Sequence, residues 1–228
     1  MTPGSQLALD FDHRPALSGE DFLVAPPNAE AVGWLDAWPD WPGPALVIFG
    51  PAGSGKTHLA QVFLSKSGAR AITPEELGRL DPPALIGDAA ACLLENAEGV
   101  LGEGGEEPLL HLYNHVQESG RHMMLTAKLP PGRWNFGLDD LASRLKAAPQ
   151  AGIGPPDDGL IAAVLVKQFA DRQLKVDDDV IGFLLRRMER SFAAARAMVG
   201  AIDDLSLAER RNITVPLVRR VLATEEVK

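Results

Sequence analysis

Two kinds of apolar spacing alternate along the first 155 residues, and only one of them continues beyond. The runs Ala45-Leu-Val-Ile-Phe49, Ala90-Ala-Cys-Leu-Leu94 and His122-Met-Met-Leu-Thr126 are short and almost wholly apolar, as expected of parallel strands buried on both faces. Arg70 to Thr73 and Ala151 to Gly154 are shorter strand candidates. Between these runs the apolar positions recur at helical spacing. Helices are predicted from Ala29 to Trp38, stopped by Pro39 and Pro42, and from Thr57 to about Lys66. Others are predicted from Leu109 to Ser119, ended by Gly120, and from Leu138 to Leu145. Thr73-Pro-Glu-Glu76 reads as a helix start, with Thr73 as N-cap, Pro74 in the first turn and Glu76 completing the box. Leu77 to Ala89 carries no decisive pattern, Gly102 to Glu107 reads as a polar linker, and Pro130-Pro131-Gly132 breaks the chain.

From Asp157 onward only helical spacing remains: Asp157 to about Asp171, Asp177 to Glu189, Ser191 to about Glu209, and Thr214 to about Ala223 with Pro216 in its first turn. The pattern predicts an N-terminal arm (1–19), an α/β domain with a parallel sheet (20–155) and a small helical lid (156–228).

The strand at 45–49 runs directly into Gly50-Pro51-Ala52-Gly53-Ser54-Gly55-Lys56-Thr57, which satisfies G-x-x-x-x-G-K-[ST] at every fixed position. Gly50, Gly53 and Gly55 permit a tight loop whose backbone N–H groups surround phosphate oxygens. Lys56 supplies a mobile positive charge and Thr57 a hydroxyl for Mg²⁺, while the following helix directs its positive end at the anion. A nucleoside di- or triphosphate is the expected ligand. The second buried strand ends in Glu95-Asn96, where an acid serves Mg²⁺ directly or through water, and the alternative is a plain surface turn. An amide at 96 cannot take a proton from an attacking water, so weak or no ATP turnover by the chain itself is expected.

Charge and cysteine content narrow the setting. Lys and Arg number 22 against 31 Asp and Glu, a formal charge of −9, which disfavours sequence-independent binding to nucleic acid. The single cysteine, Cys92, lies in a predicted buried strand and has no partner for an internal disulfide, as expected in a reducing compartment. No apolar run approaches eighteen residues and no leader pattern opens the chain, so a cytoplasmic location is expected. His111 and His115 share a helical face, but no further ligand joins them in a metal-site pattern. Within the arm, Gln6-Leu7-Ala-Leu9-Asp-Phe11 is more apolar than a solvated tail requires. It reads either as a segment packing on its own domain or as an extended peptide that fills a partner's pocket.

Four segments together carry a family likeness: Gly55-Lys-Thr-His-Leu59, Leu112-Tyr-Asn114 with Glu118-Ser-Gly120, Gly137-Leu-Asp-Asp-Leu-Ala-Ser-Arg-Leu145, and Asn212-Ile-Thr-Val-Pro-Leu-Val218. Over nearly its whole length the chain resembles the DnaA-related AAA+ proteins, in particular the regulators that inactivate the replication initiator DnaA. The resemblance implies a five-stranded parallel core with a helical lid, a bound ADP or ATP with Mg²⁺, and DnaA and the polymerase sliding clamp as partners. Gln6, Leu7, Leu9 and Phe11 would form the clamp-binding peptide. Phe22 to Asn28 would lie against the adenine, His58 would join the loop residues in binding the nucleotide, and Thr126 would occupy the sensor-1 neighbourhood. Arg144 would be an arginine finger acting on a neighbouring DnaA subunit, and Arg190 the sensor-2 arginine of the lid. Apart from the resemblance, both arginines read as a solvated helix face or surface ion pair. Two further readings stay open: an autonomous ATPase such as a helicase loader or remodeller, and a passive clamp-tethered adaptor.

Overall fold

The structure is a computed structural model and describes residues 13–14, 22–102, 104–209 and 211–225. The Gln6 to Phe11 peptide and the Phe22 side chain lie outside what it describes. The chain forms two compact units, one spanning Arg14–Gly154 and one that includes everything from Pro155 onward.

Two-residue strands β1 (His13–Arg14) and β2 (Phe22–Leu23) pair with each other, so part of the expected arm has regular structure. They are followed by α1 (Ala29–Asp36), β3 (Ala45–Phe49), α2 (Lys56–Ser67), β4 (Arg70–Ile72), α3 (Pro74–Leu77) and α4 (Pro82–Ile86). Next come β5 (Ala91–Leu94), α5 (Glu106–Glu118), β6 (His122–Ala127), α6 (Asp139–Ala147) and β7 (Gln150–Gly152). The five longer strands form one sheet in the order β4-β5-β6-β3-β7, and every pairing is parallel. Parallel strands need crossovers on the faces, which buries both sides and explains the uninterrupted apolar runs.

Alternation along the strands divides the core in two. Ala45, Val47, Cys92, Leu94, Met123 and Leu125 face Leu77, Leu85, Leu109, Leu112, Leu141 and Leu145 from α3 to α6. Leu46, Ile48, Leu93, Met124 and Ala151 face Ala31, Leu35, Leu59 and Phe63 from α1 and α2. Trp41 stacks on Phe63 with ring centroids 5.5 Å apart and closes that layer.

Local chemistry accounts for the element ends, including those that depart from the sequence prediction. Thr73 accepts from Glu76 N–H at 3.2 Å while the Glu76 carboxylate accepts from Thr73 N–H at 3.0 Å, the expected capping box. The stretch 77–89, without a decisive pattern, contains α4, because Asp81 caps Ala84 N–H at 3.0 Å and Pro82 needs no hydrogen bond in a first turn. The expected linker at 102–107 already includes the first turn of α5. Glu106 and Glu107 favour that positive helix end, and Glu106 also accepts from the N–H groups of Gly137 and Leu138.

The second unit contains α7 (Asp158–Asp171), α8 (Asp178–Leu185), α9 (Phe192–Glu209) and α10 (Val215–Glu225). Asp157 caps α7 by accepting from Leu160 N–H at 2.7 Å, and α8 stops at Leu185, short of the predicted Glu189. The helices share a core of Ile161, Leu165, Phe169, Leu184, Met198, Val199, Ile202 and Val218. Among the described residues no helix is long and apolar enough to cross a membrane.

Candidate nucleotide-binding site

The phosphate loop leaves the carboxyl end of β3, an inner strand bracketed by β6 and β7. Gly50 N–H donates to the Ala127 carbonyl at 3.1 Å, tying the loop to the end of β6. On its other side Gly50 is pressed against β7's exit: a β-carbon there would stand 2.3 Å from the Ile153 carbonyl oxygen and 2.9 Å from Ser54 Oγ. Gly53 and Gly55 are needed for a different reason, since their φ angles of 73° and 101° lie in the left-handed region. Gly55 is then the N-cap of α2, so Lys56 and Thr57 occupy its first turn. Pro51 and Ala52 form the exposed crest, His58 is half-buried, and buried Ser54 Oγ has no hydrogen-bond partner among the described residues.

Lys56 Nζ curls back over the loop and donates to the Gly50 and Pro51 carbonyls at 2.7 Å each. Burial lowers its pKa below the ordinary lysine value and the neighbouring Lys128 charge acts in the same direction; Glu98 and Glu95 oppose them. A partly desolvated ammonium among backbone carbonyls gains most from an arriving phosphate. Thr57 Oγ1 donates to Glu95 Oε2 at 2.8 Å. Two adjacent ligands of an octahedral Mg²⁺ stand about 3 Å apart, so this hydroxyl and carboxylate are spaced to share one ion, with phosphate oxygens and water completing its shell. Among the described residues no three His, Cys, Asp or Glu side chains converge to hold a metal without phosphate.

The acid at the end of β5 continues into a turn whose chemistry is not evident from spacing. Asn96 adopts φ 54°, and its N–H donates to Thr126 Oγ1 at 3.2 Å, which holds the buried threonine between β5 and β6. The reversal returns Glu98 toward the sheet, where its Oε1 accepts from Lys128 N–H at 2.6 Å and its Oε2 is buried with no partner among the described residues. Glu98 and Lys128 are thus members of the site that sequence reasoning missed. An asparagine at a strand end, tolerant of the left-handed region, was the signal available for that reversal.

Other predicted residues lie elsewhere. Asn28 is buried, and its side-chain oxygen accepts from Ala25 N–H at 2.9 Å, closing the turn before α1. That turn is held beside β7's exit by the Gly154 N–H donating to the Pro27 carbonyl at 3.0 Å. Arg190 belongs to the other unit, where its guanidinium pairs with Asp158, with Nη2 3.2 Å from Oδ2. This partner holds the Asp158 carboxyl below its ordinary pKa and Arg190 above its own.

Arg144 lies at the amino ends of β3 and β7, the opposite end of β3 from the phosphate loop. It lines a cavity of about 550 Å³ together with Pro44 and Ala45 at the start of β3, Pro149 before β7, Trp34, Tyr113 and Gln117. Five residues of β3, about 15 Å at strand rise, separate this cavity from Gly50. The Arg144 side chain keeps 32% of its surface exposed and is therefore not sealed within its domain.

Comparison with known proteins agrees with this architecture. Residues 157–222 match the family model described as Hda, lid domain. Domain III of the Thermotoga maritima replication initiation protein DnaA is similar, with a TM-score of 0.78 at 19% identity, covering 89% of this chain and 94% of that one. AMPPCP-bound DnaA from Aquifex aeolicus follows with a TM-score of 0.67 at 19% identity, over 83% of this chain and 65% of that one. A Thermotoga maritima RuvB mutant gives a TM-score of 0.70 at 13% identity, over 95% and 74%. Sheet, phosphate loop and helices define the class by fold: an α/β phosphate-loop module followed by a helical domain, the fold shared with DnaA domain III and RuvB. The Hda match covers the helical segment 157–222, and the chain as a whole has the fold of DnaA domain III.

Proposed function

We propose that this protein is a nucleotide-holding regulator of replication initiation that docks on the polymerase sliding clamp and promotes hydrolysis of ATP bound to DnaA. The observation that carries the reading is the separation between Arg144 and the chain's own phosphate loop, at opposite ends of β3. A guanidinium exposed there serves a phosphate presented by another molecule. Negative charge developing on the transferred phosphoryl group is offset by such an arginine, an effect worth about 10³ to 10⁵ in rate in GTPase systems.

The chain's own loop has the features of a holding site. Lys56, the first turn of α2 and the loop backbone would grip an adenine nucleotide, ADP or ATP, with Thr57 and Glu95 sharing Mg²⁺. Asn96 offers no base, and the remaining oxygen of Glu98 is sealed from solvent, which favours retention of nucleotide over turnover. Arg190, paired with Asp158 within the helical unit, is the residue the family resemblance assigns as sensor-2 arginine. The segment before α1 would border the adenine, with Thr126 near the outer phosphate. Gln6, Leu7, Leu9 and Phe11 would supply the clamp-binding peptide.

The test is DnaA-ATP hydrolysis in the presence of clamp loaded on DNA. Wild-type protein is expected to accelerate turnover and Arg144→Ala to lose the acceleration, while retaining nucleotide. Equal stimulation by the two, or none by the wild type, refutes the proposal. Loss of stimulation in a Gln6/Leu9/Phe11 triple alanine variant, together with loss of clamp capture, tests the docking half.

A further inference from the structure

Arg144 is more constrained than an exposed arginine usually is. It sits in the last turn of α6, one helical turn after Asp140, in the acid-before-base order that suits an i,i+4 pair. Its Nε donates to Asp140 Oδ1 at 3.0 Å and its Nη2 to Asp140 Oδ2 at 3.2 Å, so both carboxylate oxygens grip the same edge of the guanidinium. Nη1 donates to Gln117 Oε1 at 3.3 Å from α5, and the Tyr113 ring of that helix lies 5.6 Å from the guanidinium carbon. Two helices therefore fix one side chain.

From this arrangement we infer that Asp140, assisted by Gln117, is a positioning residue that aims Arg144 at the phosphate of the partner. The inference rests on the trans-acting role of Arg144 proposed above. A guanidinium carries five N–H groups. Asp140 and Gln117 accept three of them, which leaves one N–H on each terminal nitrogen for an oxyanion. Exposed ion pairs within a helix add little to fold stability, and the Asp140 side chain is 57% exposed, so its consequence lies in orientation. An unrestrained arginine distributes itself over many rotamers, and each productive encounter must then select one. Misplacement of a catalytic group by about 1 Å can cost 10²-fold in rate.

The test uses the full chain as wild type, Asp140→Ala, Asp140→Asn and Arg144→Ala. In the free protein, the Arg144 Nε–H nuclear magnetic resonance signal should be protected from exchange in the wild type and averaged with solvent in Asp140→Ala. With clamp on DNA and saturating regulator, Asp140→Ala should lower DnaA-ATP turnover about tenfold. Its complex dissociation constant should remain within about twofold of wild type. Asp140→Asn keeps an acceptor and should fall between the two. Turnover by Asp140→Ala equal to or above wild type, while Arg144→Ala is inactive, overturns this inference alone. A loss of affinity that accounts for the loss of turnover also overturns it, because Asp140 would then be a docking contact. No stimulation by wild type, or full stimulation by Arg144→Ala, removes the proposed function and this inference with it.

Discussion

Alanine at position 50 is a sharp test of how the phosphate loop is built. The added β-carbon would lie 2.3 Å from the Ile153 carbonyl oxygen, whereas real β-carbons essentially never approach within 3.0 Å. The clash cannot be relieved by a side-chain rotation, because the obstacle is backbone. Moving Ile153 strains its N–H, which donates to the Phe49 carbonyl at 2.7 Å and holds the β3–β7 register. Moving residue 50 instead strains its own bond to Ala127. Overpacking of this kind costs about 1–3 kcal/mol, and a weakened backbone hydrogen bond adds about 0.5–1.5 kcal/mol. For a unit of this size the sum corresponds to a fall in Tm of roughly 5–15 °C. All four tryptophans, Trp34, Trp38, Trp41 and Trp134, lie in the Arg14–Gly154 unit, so thermal unfolding followed by tryptophan fluorescence reports on it directly. Gly33→Ala is the matched control: no atom lies within 4 Å of its added β-carbon, and it stands inside α1. That change should stabilise the unit by about 0.5–1 kcal/mol. A Gly50→Ala protein melting within about 2 °C of wild type would refute the packing argument for this glycine.

Two further outcomes follow from ionisable groups. Burial pushes the Cys92 thiol up to about 12, so 5,5′-dithiobis(2-nitrobenzoate) should leave it unmodified in the native protein and react once denaturant unfolds the sheet; fast labelling of the folded form would contradict its burial. Asp158, Glu209 and Glu76 are held below their ordinary values by, respectively, Arg190, Arg220 and the Thr73 N–H. Depressed carboxylates stabilise the fold above their unfolded values, here 3.8 for Asp and 4.5 for Glu, and that stabilisation is lost as pH falls through the folded values. Denaturant titrations from about pH 6 down to about pH 3 should show a shallower loss of stability in Asp158→Asn/Glu209→Gln than in wild type; an unchanged slope would show that these pairs are not linked to folding.

The local order of the chain determined its elements and the chemistry of its loop. Apolar runs marked β3, β5 and β6, capping residues such as Thr73 and Asp157 marked helix starts, and the spacing of Gly50, Gly55, Lys56 and Thr57 marked the phosphate loop. These signals are legible because backbone dihedral preferences and burial periods act over a few neighbouring residues. The pairing of Asp140 with Arg144 is of the same local kind. What remained illegible spans large separations. Thr57 meets Glu95 across 38 residues, Glu98 meets the Lys128 amide across 30, and Asp158 meets Arg190 across 32. Gly50 looked necessary for the approach of a phosphate, yet its tightest neighbour is the carbonyl of Ile153. A sheet whose strand order departs from chain order sets the first two pairs, and with them the placement of Arg144 at the amino end of β3 and the phosphate loop at its carboxyl end; helix packing sets the third. Only tertiary folding decides these, because no single segment contains both partners.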